Sequence, residues 1–71
     1  MKYIIHTEGL HCGHCDAAVE TELMKVDGVT DADADHEVNV VEVEAANEID
    51  PASLSAAVEV AGFKTVSIEA A

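Results

Sequence analysis

The apolar residues of this chain switch repeatedly between a period of two and a period near 3.6, and that succession constrains the fold more than any other feature. Lys2 to Glu8 is a short run with β-branched and aromatic residues (Tyr3, Ile4, Ile5, Thr7), closed by Gly9, and predicts a strand. From Cys15 the apolar residues fall at Cys15, Ala18, Val19, Leu23 and Val26, a helical stripe. Asp16, Glu20, Glu22 and Lys25 fill most of the remaining face, and Gly28 stands where a helix stops. In Val29 to Asp35, Ala32 and Ala34 alternate with Asp31, Asp33 and Asp35, the period of a strand, although alanine is a poor strand former. His36-Glu37 reads as a turn, and Asn39 to Glu44 as a strand with Val41 and Val43 on one side and Glu42 and Glu44 on the other. Asp50-Pro51 is a helix start, with Asp as N-cap and Pro at the first helical position. Leu54, Ala57, Val58 and Ala61 form a second stripe that Gly62 ends, and Phe63 to Glu69 is a last strand carrying Val66 and Ile68.

Strand, helix, strand, strand, helix, strand is the split βαβ order. The expectation is an α+β, ferredoxin-like βαββαβ sandwich, a four-stranded antiparallel sheet with two helices on one face. Residues 1–71 leave room for one domain with a shallow core. Tyr3 and Phe63 are the whole aromatic complement, so the core has to be aliphatic. Each helix is too short to persist alone and depends on packing its stripe against the sheet.

Charge excludes several functions. Fifteen Asp and Glu stand against three Lys (Lys2, Lys25, Lys64) and no Arg, a formal net charge of −12. Such a surface repels the phosphates of nucleic acids and anionic membranes. With 49% hydrophobic residues the chain is not an acidic disordered tail. The acidity reads as solubility or adaptation to salt, and secondarily as a docking surface for a basic partner. No apolar run reaches the ~18–20 residues of a membrane span, and Met1 to Thr7 lack the pattern of a signal peptide. A cytoplasmic location follows as the expectation, a reducing compartment where structural disulfides are rare.

The chemistry is concentrated in Gly9-Leu10-His11-Cys12-Gly13-His14-Cys15, between the first strand and the first helix. Two Cys separated by two residues can point both sulfurs at one atom. Thiolates are soft ligands that select Cu(I), Zn, Cd or Hg over hard cations. His11 and His14 are candidate additional ligands, whereas His6 falls within a strand and His36 in a turn away from the cysteines. Cys12-Gly13-His14-Cys15 also has the letters of a disulfide-isomerase redox site, so a thiol–disulfide oxidoreductase is an alternative. Against it, the chain is short for a thioredoxin fold, His11 stands where Trp is usual, and Pro51 sits at a helix start. No nucleophile triad, phosphate-cradling loop or calcium loop is present.

From about Lys2 to Ile68 the chain resembles the heavy-metal-associated domain, the module of copper chaperones and of P-type metal-ATPase amino-terminal domains. Gly9 to Cys15 resembles that family's Gly-Met-Thr-Cys-x-x-Cys, Val26-Asp27-Gly28-Val29 its turn after the first helix, and Ala61-Gly62-Phe63 its approach to the last strand. The resemblance implies a non-enzymatic carrier that binds Cu(I) through Cys12 and Cys15 and passes it to a P-type metal-transporting ATPase or another metalloprotein. The runner-up within the same resemblance is a Zn(II), Cd or Hg carrier, or a detached ATPase domain. Leu10 replaces the family Met as a packing swap. His11 replaces Thr or Ser at a position that tunes metal choice, and Phe63 stands where bacterial copper chaperones often carry Tyr. A monomer is expected, or a dimer bridged by metal shared between two exposed loops.

Overall fold

The computed structural model describes every residue except Cys12. Its elements are β1 (Lys2–Glu8), α1 (Gly13–Met24), β2 (Val29–Asp35), β3 (Val40–Ala45), α2 (Pro51–Val60) and β4 (Lys64–Ala70). The strands form one antiparallel sheet in the order β2-β3-β1-β4. This is the expected ferredoxin-like βαββαβ arrangement.

Alternation places one side chain in two against the helices. Tyr3 lies opposite Val43, and Ile5 lies between Val41 and Ile68. Above them, Val19 and Leu23 of α1 and Leu54, Ala57 and Val58 of α2 are buried. The tyrosine carries a hydroxyl into this layer, where it accepts the Ile49 N–H at 3.0 Å. Asp50 caps α2 as expected, its carboxylate accepting the Ala52 N–H at 3.0 Å, with Pro51 next in the chain.

Two bulges adjust the edge strands. Between β1 and β4 the register passes from His6 opposite Ser67 to Thr7 opposite Thr65, which leaves Val66 with no residue opposite. Val66 and Ile68 were expected together on this strand, but only Ile68 packs against the core, and Val66 is 57% exposed. The extra residue inverts the alternation there. Thr30 is likewise unopposed in β2, where the register passes from Val29/Ala45 to Asp31/Glu44. Val29 lies three positions before Ala32, out of phase for a regular strand, and the bulge lets both pack against the core.

α1 departs from expectation in its roll and its end. Ala18 is exposed, while Asp16 and Glu20 are drawn partly under the helix, over the small inward residues of β2. The Glu20 carboxylate accepts the N–H of Ala34 at 2.8 Å and so occupies a donor on the outer edge of the sheet. The helix ends at Met24, four residues before Gly28. Tighter turns continue the chain, with Lys25 and Val26 N–H groups donating to Glu22 and Leu23 carbonyls, and they keep Val26 against the core.

The sheet face away from the helices is strongly acidic. Asp31 lies opposite Glu44 and Asp33 opposite Glu42. Lys2 answers with a 2.6 Å ion pair to Glu42. Like charges directly opposed across strands destabilise a sheet. The melting temperature of the apo protein is therefore expected to rise as NaCl goes from about 10 mM to 1 M. Asp33→Lys should raise it at low salt by about 2–5 °C, the effect of relieving a pair worth up to ~1 kcal/mol in a domain this small. That gain should shrink at 1 M NaCl as screening takes over. Thermal melts followed by circular dichroism at both salt concentrations measure each effect.

Candidate metal centre

β1 runs into the functional corner through Gly9, Leu10 and His11, and α1 leaves it from Gly13. Gly9 has φ +99, a conformation that favours glycine, and a Cβ there would come into van der Waals contact with Phe63 Cδ1 at 3.4 Å. Leu10 is only 3% exposed and belongs to the core cluster, which anchors the middle of the loop in the hydrophobic layer. Its neighbours His11, Gly13 and His14 are exposed. The loop thus turns an apolar side chain inward and its polar positions outward.

Cys15 lies in the first turn of α1, half-buried and packed against the core. Cys12, the other expected ligand, lies outside the described residues. His11 and His14 both remain at the surface. Among the described residues, no three His, Cys, Asp or Glu side chains converge on a metal-sized site. Phe63 is half-buried beside Gly9 and brings a phenyl ring, with no hydroxyl, to this corner. His6 pairs with Glu69 at 3.2 Å on the exposed sheet face, and Lys64 is exposed opposite Glu8 at the strand end.

The turn between β2 and β3, His36 to Asn39, contributes more than the sequence suggested. Asn39 has φ 53. Its carbonyl accepts both the N–H of Thr7, at 2.9 Å, and the hydroxyl of Thr7, at 3.0 Å. Its side-chain Oδ1 accepts the N–H of Leu10 at 3.1 Å. His36, expected to stand apart from the cysteines, reaches α1, where its Nδ1 lies 2.7 Å from Oδ2 of Asp16, the residue after Cys15. Asparagine in a hairpin turn is a recognisable signal for a left-handed conformation. Nothing local in the sequence pairs residues 36 and 16.

The fold and this corner define a class: a small split βαβ module presenting cysteine chemistry where its first strand meets its first helix. The sequence profile of the heavy-metal-associated domain matches residues 4–64, and the chain belongs to that family. It is a family of metal carriers, not of enzymes. The copper chaperone CopZ of Staphylococcus aureus is 49% identical over 41 residues, a segment that spans 58% of this chain and 60% of that protein. A solved CopZ metallochaperone superposes with a TM-score of 0.87 at 36% identity, covering 93% of this chain and all of that one. A copper-binding domain from HMA7, a P-type ATPase, superposes with a TM-score of 0.86 at 30% identity, covering 97% of this chain and 93% of that domain. No helix among the described residues is long and apolar enough to cross a membrane.

The hydrogen bond to Asp16 raises the pKa of His36 above its ordinary 6.5, aided by the charges of Asp16, Glu37 and Asp35 and opposed by partial burial. A raised folded-state value means the pair contributes stability in full below about 6.5 and loses it as pH rises through the folded value. His36→Gln should therefore lower the melting temperature at pH 5.5 and leave it close to wild type at pH 8.5. Parallel melts at the two pH values check this, and an equal deficit at both would contradict it.

Proposed function

We propose that this chain is a metallochaperone that carries one Cu(I) between the thiolates of Cys12 and Cys15 and delivers it to a P-type metal-transporting ATPase or a similar thiol-bearing partner. The observation that carries the reading is the position of Cys15. It sits in the first turn of α1 at a corner whose loop is anchored inward by Leu10 and open outward at His11, Gly13 and His14. The similarity to CopZ and to an ATPase copper-binding domain supports copper as the cargo.

Two soft thiolates satisfy Cu(I) at low coordination number and leave a coordination position for an incoming sulfur. A partner cysteine thiol loses its proton and bonds to the metal, giving a three-coordinate intermediate. One of the chaperone's sulfurs then leaves and takes up a proton, and a second exchange of the same kind with a second partner thiol frees the metal from the other sulfur. Copper stays Cu(I) throughout, so neither oxidant nor reductant is required. The shallow groove between the helices, lined by Ala17, Ala18, Val60 and Ala61 together with His14, Thr21 and Glu22, opens beside the corner and offers the partner a seat of mixed polar and apolar character. This gives the exposure of Ala18 and Val60 a use.

Anaerobic Cu(I) titration against a competing chelator tests the proposal. The Cys12→Ser, Cys15→Ser double variant should bind at least about a hundredfold more weakly than wild type, and equal affinity in the two would refute the assignment. His11 supplies the test of the zinc alternative, because Zn(II) favours four ligands, often mixed Cys and His. On the copper reading His11→Ala leaves Cu(I) affinity within about twofold of wild type. A tenfold loss of zinc affinity with Cu(I) unchanged would instead assign a zinc carrier.

A further inference from the structure

We propose that Asn39 is a positioning residue for the metal loop, and that the β2–β3 turn works as a bracket holding that loop in its binding shape. The proposal rests on the metal-binding reading above.

Asn39 is the one non-glycine residue with positive φ among the described residues. Glycine adopts that conformation at less cost, and asparagine is the side chain that tolerates it best. What asparagine adds at such a position is an acceptor. Here the Oδ1 atom receives the Leu10 N–H at 3.1 Å, two residues before Cys12. The Asn39 carbonyl meanwhile takes both donors of Thr7, the one buried polar side chain among the described residues. One turn residue thereby fixes the end of β1 and the entry to the loop.

The same turn reaches the exit side. His36 contacts Asp16 immediately after Cys15. The loop is thus held from one hairpin on both flanks, and its Leu10 side chain is seated in the core between them. Ordering a flexible loop around a metal costs conformational entropy, and a loop already held in place avoids that cost. Groups hydrogen-bonded directly to metal ligands typically contribute roughly ten- to a hundredfold to metal affinity; Asn39 acts one step further out, on the backbone that leads to the ligands, so the low end of that range is the expectation.

Asn39→Gly isolates the effect, because glycine keeps the left-handed backbone and the carbonyl bonds to Thr7 while removing only the acceptor for Leu10. Asn39→Asp retains an oxygen acceptor in the same place. Anaerobic Cu(I) affinity is measured for wild type, both variants and the Cys12→Ser, Cys15→Ser double variant. Apo melting temperatures and the Leu10 amide resonance are recorded alongside. The expected result is an affinity loss of about tenfold in Asn39→Gly, recovery to within about twofold of wild type in Asn39→Asp, and a Leu10 amide shift that changes in the first and returns in the second. Wild-type affinity in Asn39→Gly would overturn the proposal. So would a loss that Asn39→Asp fails to recover, since that marks a general loss of structure. If wild type binds no more tightly than the double serine variant, the metal reading itself fails and this inference falls with it, a result distinct from either of the others.

Discussion

A single aliphatic layer between sheet and helices holds this molecule together. Ile5, Val41 and Val43 rise from the sheet, and Val19, Leu23, Leu54 and Val58 descend from the helices; all are fully buried. Burying one such side chain is worth about 1.5–3 kcal/mol. Tyr3 is the one buried aromatic among the described residues, so the layer is almost wholly aliphatic, and neither helix would persist without it. The local irregularities of the fold are accommodations to it. The bulges at Thr30 and Val66 bring edge residues into phase with the layer, and the roll of α1 fits over the small side chains of β2.

The cysteine corner is an extension of the same layer. Leu10 is buried in it, and the loop's exposed positions follow from that anchor because the chain must turn around a fixed point. The hairpin contacts add direction to the anchoring. Asn39 ties the loop's entry to the end of β1, and His36 ties its exit to the start of α1. A carrier must hold its cargo and still release it. In the function proposed above, an open corner on a fixed frame meets both demands, because an incoming thiol gains access without the frame having to unfold.

The charge distribution is a separate matter. Carboxylates occupy the sheet face away from the helices, where Asp31 and Asp33 of β2 oppose Glu44 and Glu42 of β3. The aspartates along the β2 edge also discourage edge-to-edge pairing with another chain. These groups lie on a face that the cysteine corner does not use, and their disposition fits solubility better than recognition of a partner beside the metal.

Much of this was legible in the residues alone. The strand limits of β1 and β2, the Asp50-Pro51 helix start, the inward Val41 and Val43, and the expected ligand Cys15 in the first helical turn all came from local period and local stereochemistry. Those signals operate over a few residues and survive without knowledge of the rest. Three things did not come from the sequence: the exposure of Val66, the inward pull of Asp16 and Glu20, and the reach of Asn39 and His36 to the two flanks of the cysteine loop. Each depends on an offset between segments distant in the chain. A one-residue bulge inverts which side chain faces the core, and a small roll of a helix exchanges Ala18 for Asp16. Such offsets are chosen by how volumes fit across the layer, and only the assembled tertiary structure contains that information.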